Sequence, residues 1–423
     1  MKNPNKLKAG WRILAKDVMT LNDSMESGLS GHDIVCGGSG AGKTGSYVEP
    51  NISMLDHSMV IMDTKGRLFK KYNSYLEAKG FRVLNIDFVH PEDSISYNPL
   101  DHVHVYEEAT EDHPISYRQI DLKRVAESLV SESNDKDDMF WITTCRNTLI
   151  TMMAFVMETL PKEERHMGSV VEVYMNFTRE LSEHRSARDE LKVSFFEQLA
   201  VEDPDSFAVM MYRKLSFDSD KTWGCNEIFV GNALEIFSYT ETRKIFGASS
   251  TIDLASVGRE KTALFINTSD TNRMMDPIVN VFINQLLQEL VEEADRHDSG
   301  ELDVAVRLIL DDFSCGTKIN DFDKLISVIR SRRIYVSMML QSVSQLQTLY
   351  SNSQAKTILA NCDCKIFFGG QDKDTAEYLA DIVGKLPKTL MNLKNGEAVV
   401  VIRGQGASFT ERIKPYSMGL DGK

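Results

Sequence analysis

The residues with the clearest chemical potential are eight in a row: Gly37-Gly38-Ser39-Gly40-Ala41-Gly42-Lys43-Thr44. They fit the pattern G-x-x-x-x-G-K-S/T, which joins a strand to a helix and cradles the phosphates of a nucleotide. The glycines let the backbone curl so that successive N–H groups point inward at phosphate oxygens. A helix starting near Lys43 adds the positive end of its dipole. The Lys43 ammonium can then reach the β- and γ-phosphates, and the Thr44 hydroxyl can ligate Mg2+. ATP with Mg2+ is the ligand pair expected for this loop.

Such a loop needs an acidic partner at the end of a neighbouring apolar strand to hold the cation. A second carboxylate often orients the attacking water. The apolar run Val304-Ala305-Val306-Arg307-Leu308-Ile309-Leu310 opens onto two acids. Asp311 is expected to be the Mg2+ partner and Asp312 the water-positioning residue. Asp63 competes, because it also ends an apolar strand, although Thr64-Lys65-Gly66 after it reads as a turn. Arg330-Ser331-Arg332-Arg333 closes the next helical segment. An arginine cluster there could reach a neighbouring subunit's γ-phosphate, line a DNA-facing channel, or simply favour a helix C-terminus. Gln341 ends the following strand, where an amide can sense the γ-phosphate or merely close the strand.

The elements that must position these groups are legible from periodicity. Short apolar runs predict strands at 33–36, 58–62 and 82–86, with helical patterns between them, as in parallel βαβ units. From about 105 to 245 strand-like runs become rare. Asp121 to Val130, Trp141 to Leu160 and Ser169 to Leu181 carry apolar residues at helical spacing. Strands return at 262–266, 304–310, 334–340, 365–368 and 398–402, with helices at about 276–296, 320–331 and 373–383. The expected organisation is an α/β nucleotide-binding domain in two parts, 1–105 and 246–423, interrupted by an all-α domain at 106–245.

Bulk properties narrow the function classes. A chain of 423 residues is long enough for two or three domains. Its 42% hydrophobic and 26% charged content is that of a globular protein with a sizeable core. The net charge of −14 excludes coating nucleic acid with the average surface. Any such contact must come from a local basic patch or a charged pore. Cys36, Cys145, Cys225, Cys315, Cys362 and Cys364 form no C-x-x-C pair, so reduced thiols are expected rather than a zinc site. His102 and His104 read as surface histidines, and the Met152-Met153 and Met274-Met275 pairs as core filling. The start Met1-Lys2-Asn3-Pro4 does not read as a secretory signal. The longest apolar run, Leu149 to Leu160, is about half of what spans a bilayer.

The motifs together resemble one family. GGSGAGKTGSYVEPNI at 37–52, MDTKGRLF at 62–69, NIDF at 85–88, SYNPL at 96–100 and MFW at 139–141 come first. LILDDF at 308–313, IRSRR at 329–333, LQSVSQLQTLYS at 340–351 and LANCDCKIFFGG at 359–370 follow in the same order. Across nearly the whole chain this resembles the type IV coupling proteins of bacterial conjugation, the TraG/TraD class of DNA-pumping ATPases.

The resemblance implies a RecA-like P-loop domain with a central, mostly parallel sheet and an inserted all-α domain. It implies a homo-hexameric ring, with ATP sites between subunits and single-stranded DNA in a central channel; the isolated chain could be a monomer. It makes Lys43, Thr44 and Asp311 the Mg-ATP ligands, Arg330 the arginine finger and Gln341 the phosphate sensor. The implied partners are the relaxase–DNA complex, recognised by the helical domain, and type IV secretion channel components. The implied place is the cytoplasmic face of the bacterial cell membrane. This sequence departs from the family in two ways. Asp312 stands where members usually carry Glu, and the N-terminal membrane helices are missing, as in a soluble fragment or a variant that relies on a membrane partner. A nucleotide-gated adapter that does not pump, and a double-stranded DNA translocase of the FtsK kind, are the alternatives.

Overall fold

A computed structural model describes residues 10–110, 113–130, 138–186, 195–215, 220–247, 251–313 and 318–414. Cys315 lies outside the described residues. The chain divides into two compact units: Met1–Val89 with Asp253–Arg273 and Leu286–Lys423, and His90–Ile252 with Met274–Gln285. The helix Asp276–Asp295 is divided between them at Gln285.

The first unit is built on strands. β1 (Trp11–Ala15) and β2 (Val18–Leu21) form an antiparallel ribbon ahead of the first strand expected from the sequence. β3 (Asp33–Cys36), β4 (Ser58–Asp63) and β5 (Arg82–Asp87) follow. In the second unit, β6 (Val105–Glu107) and β7 (Ser116–Tyr117) make a small ribbon. Back in the first unit come β8 (Thr262–Asn267), β9 (Val306–Leu310), β10 (Ile334–Leu340), β11 (Cys364–Phe367), β12 (Glu397–Ile402) and β13 (Gly406–Glu411).

The main sheet has nine strands among the described residues, in the order β13-β12-β11-β3-β10-β9-β4-β8-β5. From β11 to β5 every pairing is parallel, while β12 and β13 add an antiparallel hairpin at one edge. β4, β8, β9 and β10 are buried along their whole length. Strands covered on both faces read as continuous apolar runs rather than alternating ones, which is why they were visible in the sequence. The core gathers Val35, Ile52, Ile61, Phe265, Ile309, Met339 and Ile366.

A buried ion cluster fixes the root of β3. Arg12 of β1 donates to both Asp33 oxygens, with Nε–Oδ2 at 2.9 Å and Nη2–Oδ1 at 3.0 Å. Arg307 of β9 lies 3.4 Å from the same carboxylate, and Tyr47 donates its hydroxyl to it at 2.5 Å. Burial alone would push the Asp33 carboxyl up, but Arg12 and Arg307 hold it below the ordinary range. Asn51 exchanges hydrogen bonds of 2.9 Å with the Ile13 backbone in both directions. The N-terminal ribbon is thereby fastened to the helical segment that carries Tyr47 and Asn51.

The second unit is mainly helical, with Gln119–Leu129, Asp138–Thr159, Met167–Ser186, Phe195–Glu202, Phe207–Tyr212 and Asp220–Glu235. Among the described residues, no helix is long and apolar enough to cross a membrane.

Candidate nucleotide site

Register places the sequence-selected residues. Cys36 pairs with Leu340, and Leu310 with Met338. β10 lies between β3 and β9, so the loop after Cys36, Gln341 after Leu340 and Asp311 after Leu310 all leave the same end of the parallel strands. The crevice beyond the carboxyl ends is where ligands sit in open α/β sheets.

The loop is held open by its glycines. Gly40 and Gly42 adopt φ of 72° and 86°, which glycine reaches without a Cβ penalty. A Cβ on Gly37 would come within 2.9 Å of the Ala41 Cβ. The chain then turns helical at Thr44–Val48 and continues as Glu49–Met54. The first turn is wound wider than an α-helix, and Pro50 supplies a reason: it has no N–H for the carbonyl four residues back.

Lys43 folds over the loop it ends. Its Nζ donates to Gly37 O at 2.7 Å and Gly38 O at 3.4 Å. The residue is only 7% exposed, and among the described residues no carboxylate lies within ion-pair distance of it. A buried ammonium held over the loop by two backbone carbonyls, without a counter-charge among the described residues, fits an anion such as a phosphate.

The cation side is equally defined. Thr44 Oγ1 donates to Asp311 Oδ2 at 2.5 Å. Two hard oxygen ligands side by side fit Mg2+. Burial pushes the Asp311 carboxyl up to about 6, with the Thr44 hydrogen bond working against that rise. A divalent cation there would reverse the penalty on the ionised form.

Asp63 is differently engaged. It accepts from the backbone N–H groups of Arg67, Leu68 and Phe69 at 3.1, 2.7 and 3.0 Å. It caps the helix Arg67–Ala78, so its oxygens are already used, whereas Asp311 touches Thr44.

Asp312 follows Asp311 with φ of 50°, and its backbone N–H donates to Asp311 Oδ1 at 3.1 Å. Asp tolerates the left-handed region better than most residues, which gives a physical reason for Asp over Glu at this position. Gln341 Oε1 accepts from Gln345 Nε2 at 3.4 Å.

Arg330 is not brought to this site by its own chain. It lies in the turn Ile329–Arg332 ahead of β10, so the length of that strand separates it from Gln341, roughly 23 Å at 3.3 Å per residue. Its Nη2 is 3.5 Å from Ser24 O.

One residue at the loop escaped sequence reading. Arg412, just past β13, donates through Nη1 to the Ala41 carbonyl and through Nη2 to Asn395 Oδ1 at 2.8 Å. A Cβ on Gly42 would run into its guanidinium. Arg412 braces the phosphate loop from the edge hairpin. Nothing near Lys43 in sequence signals it.

The sheet order and the loop define a RecA-like P-loop nucleotide-binding fold. Comparison with known proteins agrees. The plasmid coupling protein TrwB in complex with the non-hydrolysable ATP analogue ADPNP has a similar structure: TM-score 0.66 at 15% identity, covering 98% of this chain and 93% of that one. VirB4 of Thermoanaerobacter pseudethanolicus follows at TM-score 0.59 and 14% identity, covering 97% of this chain and 98% of that one. The VirD4 protein of Rhizobium radiobacter is 20% identical over 363 residues, covering 85% of this chain. This chain spans about half of that relative, 49% of its length. The family described as type IV secretory system conjugative DNA transfer matches residues 7–414, and the chain belongs to that family.

Proposed function

We propose that this chain is the ATP-driven part of a conjugative coupling protein, which hydrolyses ATP to move single-stranded DNA and recruits the relaxase–DNA complex. The observation that carries the reading is the Thr44–Asp311 contact at 2.5 Å beside the buried Lys43. TrwB, with the same fold, is known in complex with ADPNP and with ADP and Mg2+, and the same ligands are assigned here. Lys43 and the loop Gly37–Thr44 hold the phosphates. Thr44 and Asp311 hold the cation, which would neutralise phosphate charge as it develops. Asp312 positions the attacking water, and Gln341 reports the γ-phosphate.

Arg330 completes the site in trans. Its place at the far end of β10 leaves it unable to serve its own phosphate loop, as expected of a finger aimed at a neighbour in a homo-hexamer. DNA passes the ring's centre, the helical unit, centred on residues 106–245, faces the relaxosome, and the assembly docks on secretion channel components at the cytoplasmic face of the membrane.

A second reading is favoured by one observation. Asp312 has a short side chain on a left-handed backbone, which suits a nucleotide-gated adapter that turns over slowly. ATP turnover with and without single-stranded DNA separates the two. The motor reading expects DNA-stimulated hydrolysis that disappears in Lys43→Ala. Nucleotide binding with no turnover under any condition would favour the adapter.

A further inference from the structure

The helical unit carries a groove that the nucleotide chemistry does not use. Three helices form it, Gln119–Leu129, Asp138–Thr159 and Phe207–Tyr212. Each turns one face inward at helical spacing, as with Lys123 and Glu127, Arg146 and Ile150, or Phe207 and Met211. The cavity holds about 480 Å3, inside the ~300–1,000 Å3 typical of specific ligand sites.

Its floor is apolar. Ile150 and Met211 are buried, and Ile120 stands on the rim 51% exposed. Its walls are cationic. Lys123, Arg146 and Lys214 face a single carboxylate, Glu127, which lies 3.6 Å from Lys123. Arg146 spends Nε and Nη2 on the Val130 carbonyl, at 2.9 and 2.7 Å, leaving Nη1 available. Lys214 Nζ donates to Met211 Sδ at 3.7 Å. Among the described residues, no carboxylate pairs with Arg146 or Lys214. In a chain of net charge −14, three cations around one acid run against the surface as a whole. Single-stranded nucleic acid would want a stripe of charge with several stacking rings, and here one half-buried ring, Phe207, lines the groove.

We propose that this groove takes an acidic peptide segment of a partner protein. An apolar side chain seats on Ile150 and Met211, and flanking carboxylates meet Lys123, Arg146 and Lys214. This rests on the reading of the helical unit as the recruiting surface, and it names the chemistry of the segment recruited.

The test is fluorescence polarisation of the whole chain with a labelled peptide alternating Glu with Leu and Phe. The controls are the same peptide with Lys for Glu, and unlabelled single-stranded oligonucleotide as competitor. The acidic peptide should bind saturably, lose affinity with added salt, and resist the oligonucleotide. Lys123→Glu with Lys214→Glu, both at exposed positions, should weaken it roughly tenfold or more and confer binding of the Lys peptide. Saturable gain of the opposite peptide with an unchanged thermal unfolding midpoint excludes misfolding as its cause. Absence of acidic-peptide binding, indifference to the charge reversal, or displacement by the oligonucleotide would each overturn the proposal. DNA-stimulated ATP turnover is measured on the same preparation. If the peptide fails while turnover persists, the groove reading falls alone. If the peptide binds while turnover is absent, only the motor reading falls.

Discussion

Replacing Asp311 by Asn should make the nucleotide-free protein more stable while destroying its function. The carboxyl is buried and pushed from 3.8 up to about 6. Its ionised form is therefore disfavoured in the folded state relative to the unfolded one. The sign follows from proton binding: between pH ~3.8 and ~6 the folded state holds the proton and the unfolded state has released it, so stability falls as pH rises through that window. At 1.36 kcal/mol per pH unit the full penalty at pH 7 is about 3 kcal/mol. Asn cannot ionise and escapes it, less the fraction of a kcal/mol to 1.5 kcal/mol that an altered hydrogen bond to Thr44 costs. The assay is denaturant unfolding with EDTA present, comparing wild type and variant at pH 4 and pH 8. The variant should gain about 1.5–3 kcal/mol at pH 8 relative to its difference at pH 4. Adding Mg2+ and a non-hydrolysable ATP analogue at a hundredfold its Kd should then raise the wild type by about 2.7 kcal/mol and leave the variant unmoved. A variant less stable than wild type at pH 8, or equally stabilised by the Mg-nucleotide, would refute the placing of Asp311 as a buried acid awaiting a cation.

Other perturbations have defined outcomes. Burial and the nearby Arg307 push His32 and His57 down to about 3, so both fold neutral. Their contribution to stability should fall as pH drops from about 6.5 toward 3, with a limiting slope near 2.7 kcal/mol per pH unit for two protons, about twice the opposing slope from Asp311; a stability profile of Asp311→Asn that is flat across that window would contradict this. Asp33→Asn leaves Arg12 and Arg307 buried without their counter-charge and should cost roughly 3–5 kcal/mol, read by thermal unfolding; an unchanged midpoint would contradict it. Arg412→Ala should raise KM for ATP several-fold with little change in kcat, and Arg412→Lys should restore part of it. A fall in kcat alone would show that Arg412 does not brace the loop.

The loop was readable because its eight residues are contiguous and each type answers to a local demand. The parallel strands were readable because burial on both faces leaves them uniformly apolar. The choice between Asp311 and Asp63 is open in the sequence, since both end apolar strands; the helix after Gly66 turns its N–H groups onto Asp63, which favours Asp311 for the cation. The Arg12–Asp33–Arg307 cluster was hidden because its members stand 21 and 274 positions apart, and nothing in periodicity marks a charge for burial. Arg412 meets Ala41 across 371 positions, bridged by a sheet edge whose order could not be read from the chain. The groove needs three helices at once, and helical spacing reveals each face but not what it faces.

The proposed ATP site is completed between subunits and driven by DNA. The most direct measurement mixes two inactive variants, Lys43→Ala and Arg330→Ala, with single-stranded DNA and ATP. Each alone should be silent. Together they should regain DNA-stimulated hydrolysis, because Lys43→Ala subunits supply Arg330 to neighbours whose phosphate loop is intact. A mixture that stays silent while the wild type turns over, or full activity of Arg330→Ala by itself, would contradict a site shared between subunits.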